Sequence, residues 1–535
     1  TPPGFAAAYR SFAQSGWIGL AVPEEYGGQA LPQIFLGPTL EMWNAVNIGF
    51  ANGPLLNQGA IEAIELAGSH EQQRTYLPHL VSGRWTGTMC LTEPQAGSDL
   101  AQVRTRATPD GDAYRLTGQK IFITFGEHDM AENIVHLVLA RLPDAPEGTR
   151  GISLFIVPKF VVNPDGSLGD ANEVVCTGIE HKLGINGNPT CTMSLGEGGR
   201  GSIGYLVGEA NRGLEYMFIM MNAARFSVGV QAIGLADRAY QHALEYARER
   251  VQGRGLDPSS PKGPLTIVHH ADVRRMLMWQ KSTIEAMRAL AYVTASSMDF
   301  AQRDPDERVR KEHRAFVEFM TPIVKGWCTE SAVDLCSNAL QVFGGMGYVE
   351  ETGIAQYYRD VRITTIYEGT TGIQALDLIG RKLVRDMGAA ATAIGRQIAQ
   401  TAVDCAASKN DDVRAIGTAL ADGLSAVDEA SQWIGMTALS DFNIASACGV
   451  PYLKLWGVVA GGWQMARAAL LASAHVDAGS GDREFYVAKL GSAAFYARHV
   501  LSQSRWYMRQ VVDGSSDVLR LTDEQFDADR TAKAG

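Results

Sequence analysis

Apolar positions recur at three- and four-residue spacing near the start of the chain, then alternate, then return to helical spacing up to the end. Residues 5 to about 80 read as helices joined by Gly/Pro turns, with helical patterns over 36–57, 58–67 and 69–80 and a plain loop over 21–28. From Trp85 to about Val207 the texture changes. Residues 114–124 alternate and turn at Gly118, and 134–140, 151–157 and 202–207 are short β-branched runs bounded by Gly, Pro and Asn. From Gly213 the helical spacing resumes over 214–250, 267–302 and 307–342, the last carrying Pro322, which is expected to kink it. Ala-rich helices follow over 389–407, 412–437, 451–474 and 483–508, without a fixed-period repeat or a low-complexity linker.

The order predicts an α+β chain, mainly α. Its expected domains are a helical one at 1–84, a β domain at 85–207, a helical bundle at 208–385 and a helical extension at 386–535. The first is expected to be incomplete, because the chain begins without Met on Thr1-Pro2-Pro3-Gly4. A formal charge of -11 and a pI near 5.5 argue against nucleic acid as the main partner, since phosphate reading needs a basic field. Seven scattered cysteines, odd in number and without CxxC, fit buried thiols in a reducing compartment. No apolar run is read as long enough to span a membrane and no signal peptide is evident, so a cytoplasmic protein is expected.

Candidate chemistry concentrates between Gln341 and Gln374. Glu368 follows the apolar run 363–366, and a carboxylate at the end of such a run is either a desolvated base or a solvated cap. The Gly-Thr-Thr-Gly after it offers donors at the start of another helical pattern. Thr92, Gly97 and Ser98 lie on a polar loop suited to close ligand approach, or simply on a surface turn. Phe122-Ile123-Thr124 puts an aromatic ring beside a hydroxyl, which would suit a flat heterocycle, although taken alone it reads as a core Phe and a strand Thr. Arg225, within an apolar helix, needs a partner or a ligand, and Arg250 is either a helix cap or a phosphate clamp. The literal GxGxxG at 196–201 precedes a strand-like run without a βαβ unit, and the adjacent His269 and His270 have no ligand partners at metal spacing, so no metal is expected.

Jointly, LTEPQAGSD (91–99), GQKIFIT (118–124), YARER (246–250), QVFGGMGY (341–348) and RDVRITTIYEGTTGIQ (359–374) resemble the acyl-CoA dehydrogenase family of flavoproteins. The resemblance covers about residues 5–385 and implies an N-terminal helical domain, a β-barrel-like middle domain and a four-helix bundle. It implies FAD as cofactor and Glu368 as the base that removes the α-proton of an acyl-CoA thioester. Leu91, Thr92, Phe122, Ile123 and Thr124 match the flavin wall, and Gly97 and Ser98, on the same loop as Thr92, are expected to bind the cofactor as well. Arg250, Gln341, Gly344, Gly345 and Thr370 match further cofactor contacts, His269 and His270 align near another, and Ser98, Asn222 and Arg225 match the CoA side.

Phe122 stands where many members carry Trp, Gly372 where many carry Gln, and Val251-Gln252-Gly253 replaces the usual Phe-Gly. The extension, with GEHD at 126–129 and HKLGI at 181–185, resembles a larger bacterial subgroup. That subgroup includes enzymes acting on 3-(methylthio)propionyl-CoA in dimethylsulfoniopropionate breakdown, and others acting on broad ranges of fatty acyl-CoAs in β-oxidation. The resemblance further implies electron-transfer flavoprotein as acceptor and, with the extension replacing part of a tetramer contact, a homodimer. An acyl-CoA oxidase shares base, cofactor and extension, and a non-enzymatic acyl-CoA-binding protein of this fold is the remaining alternative.

Overall fold

The computed structural model describes residues 1–255 and 263–527, and the chain divides into two compact units at Ser227/Val228. The first unit opens with α1 (Phe5–Gln14), α2 (Leu36–Ala67) and α3 (His70–Val81). Within 21–28, read as a plain loop, Glu24–Tyr26 forms a 3-10 turn. A capping box starts α3: Ser69 Oγ accepts from the Gln72 amide at 3.2 Å while the Gln72 side chain accepts from the Ser69 amide at 2.9 Å. A helix break expected near residues 57 and 58 lies instead at Asn47 (φ -160, ψ 93), whose Oδ1 recaps the helix by accepting from the Phe50 amide at 3.0 Å. Asn57 is a buried strut rather than a boundary. Its Nδ2 donates to the Leu80 carbonyl at 3.0 Å and its Oδ1 accepts from the Gly87 amide at 2.9 Å.

Ten strands follow: β1 (Trp85–Cys90), β2 (Arg106–Asp110), β3 (Ala113–Thr124), β4 (Asn133–Arg141), β5 (Ile152–Pro158), β6 (Phe160–Val162), β7 (Leu168–Ala171), β8 (Val174–Ile179), β9 (Thr190–Leu195) and β10 (Ser202–Val207). The sheet order is β1-β4-β5-β10-β3-β9-β8, with β6 and β7 as a separate ribbon. Because β2 pairs with both β3 and β4, the strands β4, β5, β10, β3 and β2 close on themselves, which is the barrel-like middle domain. The expected turn at Gly118 is absent. The strand continues through it at φ +152, where an added Cβ would stand 2.5 Å from Thr105 Oγ1.

Alternate residues of β4 and β5 serve two cores. Val135, Leu137, Leu139, Ile152, Leu154 and Ile156 join Ile61, Ile64, Leu77 and Leu80 from the helices. Val138, Ala140, Phe155 and Val157 face Leu116, Ile123, Cys191 and Met193. Burial on both faces explains why 134–140 is apolar at every position but His136 instead of alternating.

The helix α4 (Gly213–Glu249) begins in the first unit and ends in the second. Contrary to expectation it is, by length and composition, able to cross a membrane, but 67% of its apolar window is buried inside the protein. The second unit continues with β11 (Val251–Arg254), β12 (Pro264–Thr266), α5 (Ala271–Arg303), α6 (Glu307–Phe343), α7 (Ile354–Val361) and α8 (Thr371–Asp377). The helix α6 runs unbroken through Pro322. The extension adds α9 (Ala389–Ala406), α10 (Asp411–Thr437), α11 (Phe442–Ala447), α12 (Gly449–Ala478), α13 (Arg483–His499), α14 (Ser504–Val512) and α15 (Ser515–Val518). One helix expected over 483–508 is thus two, divided by a 3-10 turn at Leu501–Gln503. Residues 528–535 of the expected extension lie outside the described residues.

The extension covers the bundle directly. Gly457 and Gly461 of α12 admit the indole of Trp327 from α6, so that a Cβ on Gly457 would stand 2.1 Å from Trp327 Cγ.

Candidate active site

The first unit brings two of the quoted motifs together. The Thr92 carbonyl accepts from the Ile121 amide at 2.9 Å, which lays 91–99 along β3. Beneath that seam is a buried ion pair: Lys120 Nζ lies 2.8 Å from Glu93 Oε1, with side chains 0% and 3% exposed. Lys120 also donates to the Leu91 carbonyl at 3.0 Å. Glu93 accepts in addition from the Thr105 hydroxyl at 2.6 Å and from the amides of Arg104 and Thr105 at 2.7 and 3.1 Å. Burial pushes the Glu93 carboxyl up, but the Lys120 charge and these donors outweigh it and hold the group down at about 2. Neither residue was singled out from the sequence, although both lie inside the quoted motifs.

On this clamped backbone Leu91 is buried, Thr92 half-buried, and Gly97 and Ser98 exposed. Two residues past Lys120 the pairing of β3 with β9 slips, and Phe122 adopts a left-handed conformation (φ 60) with 58% of its surface exposed. The bulge turns the ring outward while Ile123 stays buried and Thr124 half-buried, so the reading of Phe122 as a core residue is corrected. Farther along, Arg225 is buried on α4 and its Nη1 donates to Oδ1 of the exposed Asn222 at 3.4 Å.

The second unit holds the carboxylate. Residues Arg362–Thr365 form a 3-10 turn, and the half-buried Glu368 follows with φ 57. A left-handed conformation costs a non-glycine residue about 1–2 kcal/mol and persists only where surroundings impose it. Here they do. The Tyr367 hydroxyl donates to Gln231 on α4, and the buried Gln374 side chain donates toward the carbonyls of Glu368 and Gly369, each at 3.3 Å. Thr370 caps α8 by accepting from the Ile373 amide at 3.3 Å, and the Thr371 hydroxyl donates to Glu330 at 2.7 Å.

Arg250 stands directly after Glu249, at the C-cap position of α4. It opens the hairpin, with its amide on the Tyr246 carbonyl and its carbonyl accepting from Ile267, each at 2.8 Å. His269 and His270 do not share a helix as expected. His269 ends a 3-10 turn, and His270 sits 2.7 Å from the Gln252 carbonyl, pinning β11. Among the described residues no group of three or more His, Cys, Asp or Glu is placed to hold a metal.

Gln341 is exposed in the last turn of α6, and Gly344 and Gly345 are exposed in the turn after it. Its glycines differ in purpose. A Cβ on Gly347 would lie 2.3 Å from the Leu340 carbonyl oxygen, whereas one on Gly345 would meet nothing, so the chain itself does not require glycine there.

Four family models match the chain in order: the acyl-CoA dehydrogenase N-terminal domain over 2–84, the middle domain over 88–197, the C-terminal domain over 211–384, and an acetyl-CoA dehydrogenase C-terminal-like domain over 391–522. The chain is 46% identical over 519 residues to a 3-methylmercaptopropionyl-CoA dehydrogenase of Ruegeria pomeroyi, covering 97% of this chain and 87% of that protein. It is 35% identical to a broad-specificity linear acyl-CoA dehydrogenase, FadE5, of Mycobacterium tuberculosis, covering 98% and 88% respectively. An acyl-CoA dehydrogenase from Bacillus anthracis, solved in complex with FAD, shares the fold at a TM-score of 0.75 and 21% identity, over 97% of this chain and 86% of that one.

Proposed function

This chain belongs to the acyl-CoA dehydrogenase family of FAD-dependent oxidoreductases, and on that premise we propose that it oxidises the Cα–Cβ bond of a short acyl-CoA to the trans-2-enoyl thioester, with 3-(methylthio)propionyl-CoA as leading substrate. The observation that carries the reading is Glu368, a carboxylate held in a left-handed turn by Gln374 and by its neighbour Tyr367. Strain at a half-buried acid marks a position where orientation outweighs local stability.

The residues present fit FAD. An outward-turned ring at Phe122, the Thr124 hydroxyl and the clamped Leu91–Thr92 backbone offer a flat apolar surface beside hydrogen-bonding groups. Gly97 and Ser98 extend that loop, while Arg250, Gln341, Gly344, Gly345 and Thr370 would hold the pyrophosphate and adenine portion. The chemistry a bound FAD would supply here is that of a hydride acceptor for the β-hydrogen. Glu368 takes the α-proton onto its carboxylate, and its backbone NH donates to the thioester oxygen as negative charge develops there. Ser98, Asn222 and Arg225 serve the CoA side.

Identity to the Ruegeria protein over nearly the whole chain supports the sulfur-containing substrate. The 35% identity to the mycobacterial enzyme supports a second reading, a broad range of linear acyl-CoAs. Around the Gly344 turn, Met346, Tyr348 and Val349 are exposed, Tyr348 at 93%, which supports burial against a second copy in a homodimer. Electron-transfer flavoprotein as acceptor and a cytoplasmic location complete the reading, the latter supported by seven free cysteines.

The test is anaerobic bleaching of the bound flavin by a panel of short, long and methylthio-substituted acyl-CoAs, with Glu368→Gln alongside. A positioned base contributes roughly 10²–10⁴ in rate, so the variant should lose at least that while remaining yellow. Near-normal bleaching in the variant removes Glu368 from the role, and stoichiometric peroxide during aerobic turnover would point to an oxidase.

A further inference from the structure

The extension reaches the Glu368 turn through one chain of contacts. Lys454, on α12, places Nζ 3.1 Å from Glu330 Oε2, with the two side chains 25% and 28% exposed. The other oxygen of Glu330, on α6, accepts from the Thr371 hydroxyl at 2.7 Å. Thr371 is the first residue of α8, three positions after Glu368, and its hydroxyl also lies 3.4 Å from the Thr365 carbonyl just before the turn. The start of α12 touches the same short helix: a Cβ on Gly449 would stand 3.3 Å from Ala375 Cβ. Arg362, Asp334 and, from α14, Tyr507 interact electrostatically with the same carboxylate. Burial pushes the Glu330 carboxyl up, and the Thr371 hydroxyl and Lys454 charge bring it below its ordinary range, so it stays a charged acceptor.

We propose that Lys454 is a positioning residue for the proton-abstracting turn, acting through Glu330 and Thr371, so that the extension sets the orientation of Glu368. A half-buried Glu330 stripped of its cation would turn toward solvent or toward Arg362, releasing the hydroxyl that fixes the first turn of α8. The Glu368 backbone, held off its preferred conformation, would then relax. This rests on Glu368 being the base.

The experiment is steady-state turnover of the FAD-loaded enzyme with 3-(methylthio)propionyl-CoA and butyryl-CoA and an artificial one-electron acceptor, with FAD content and thermal midpoint recorded for each variant. Lys454→Met should lower kcat about ten-fold, since sub-ångström misplacement of a reacting group has effects of this order, with KM within about two-fold and FAD retained. Lys454→Arg should recover most of the rate. Glu330→Gln should fall similarly, and the double variant should be no slower than either single one, because both break one chain.

An unchanged kcat in Lys454→Met overturns the inference. So does a loss that tracks FAD content and midpoint without recovery in Lys454→Arg, and so does a multiplicative double variant. If wild type turns over and Glu368→Gln is dead while the Lys454 series is flat, only this inference fails. An active Glu368→Gln removes the base assignment and this inference with it.

Discussion

The ion pair under the Leu91–Thr92 seam sets a measurable expectation. Lys120→Met removes an ammonium that is 0% exposed and leaves Glu93 buried at 3% exposure. Breaking a buried pair from one side costs about 3–5 kcal/mol. Glu93 keeps the Thr105 hydroxyl and two amides, so the lower end, about 3 kcal/mol, applies. For a unit of this size the thermal midpoint should fall by roughly 6–12 °C at pH 7. Adding Glu93→Gln should return part of the loss, since the uncompensated charge is gone.

The sign with pH is fixed by the depressed carboxyl. Glu93 contributes fully above its unfolded value of 4.5 and the contribution is lost as pH falls through about 2, so the gap between wild type and Lys120→Met should narrow over that window. FAD affinity should fall as well, because the Leu91 carbonyl loses its donor. Calorimetry from pH 7 downward, paired with a flavin titration, reads both. A midpoint within 2 °C of wild type, or a double variant no better than the single one, would refute the reasoning.

Glu368→Gly should abolish turnover yet leave the midpoint equal or slightly higher, since relief of about 1–2 kcal/mol opposes an unfolded-state loss of about 0.5–1 kcal/mol; a drop of several degrees would contradict the left-handed turn. His128 and His136 are driven by burial to about 4 and about 3. Such groups are neutral when folded and charged when unfolded, so stability should decline as pH falls from 6.5, at up to about 1.4 kcal/mol per pH unit for each; a midpoint flat down to pH 4 would count against it. Gly457→Val should destabilise the second unit by several kcal/mol, because its Cβ would overlap Trp327. Denaturant unfolding checks this, and a neutral result would exclude the close helix approach.

What the sequence shows well is what depends on period. The long helices and the change of texture at Trp85 follow from local rules. The break in α2 was misplaced because Asn57 resembles a polar boundary and is in fact buried between three elements. Gly118 resembles a turn but exists for close approach to Thr105. The candidate residues were legible through motifs, not through their environments. The bulge that turns Phe122 outward, the Glu93–Lys120 pair and the Lys454–Glu330–Thr371 chain join positions far apart in sequence, and no local pattern encodes such pairings.

The thiols have a practical consequence. All seven cysteines are free and only Cys176 is not buried; burial drives Cys90 and Cys405 to about 11 and Cys191 to about 12. At neutral pH these groups carry almost no thiolate, the species that alkylating reagents attack. With Cys176→Ser, the protein becomes a nearly silent background for maleimide chemistry. A single cysteine placed at the fully outlying Tyr348 would then report, by its labelling rate against protein concentration, whether that turn is covered when two copies meet.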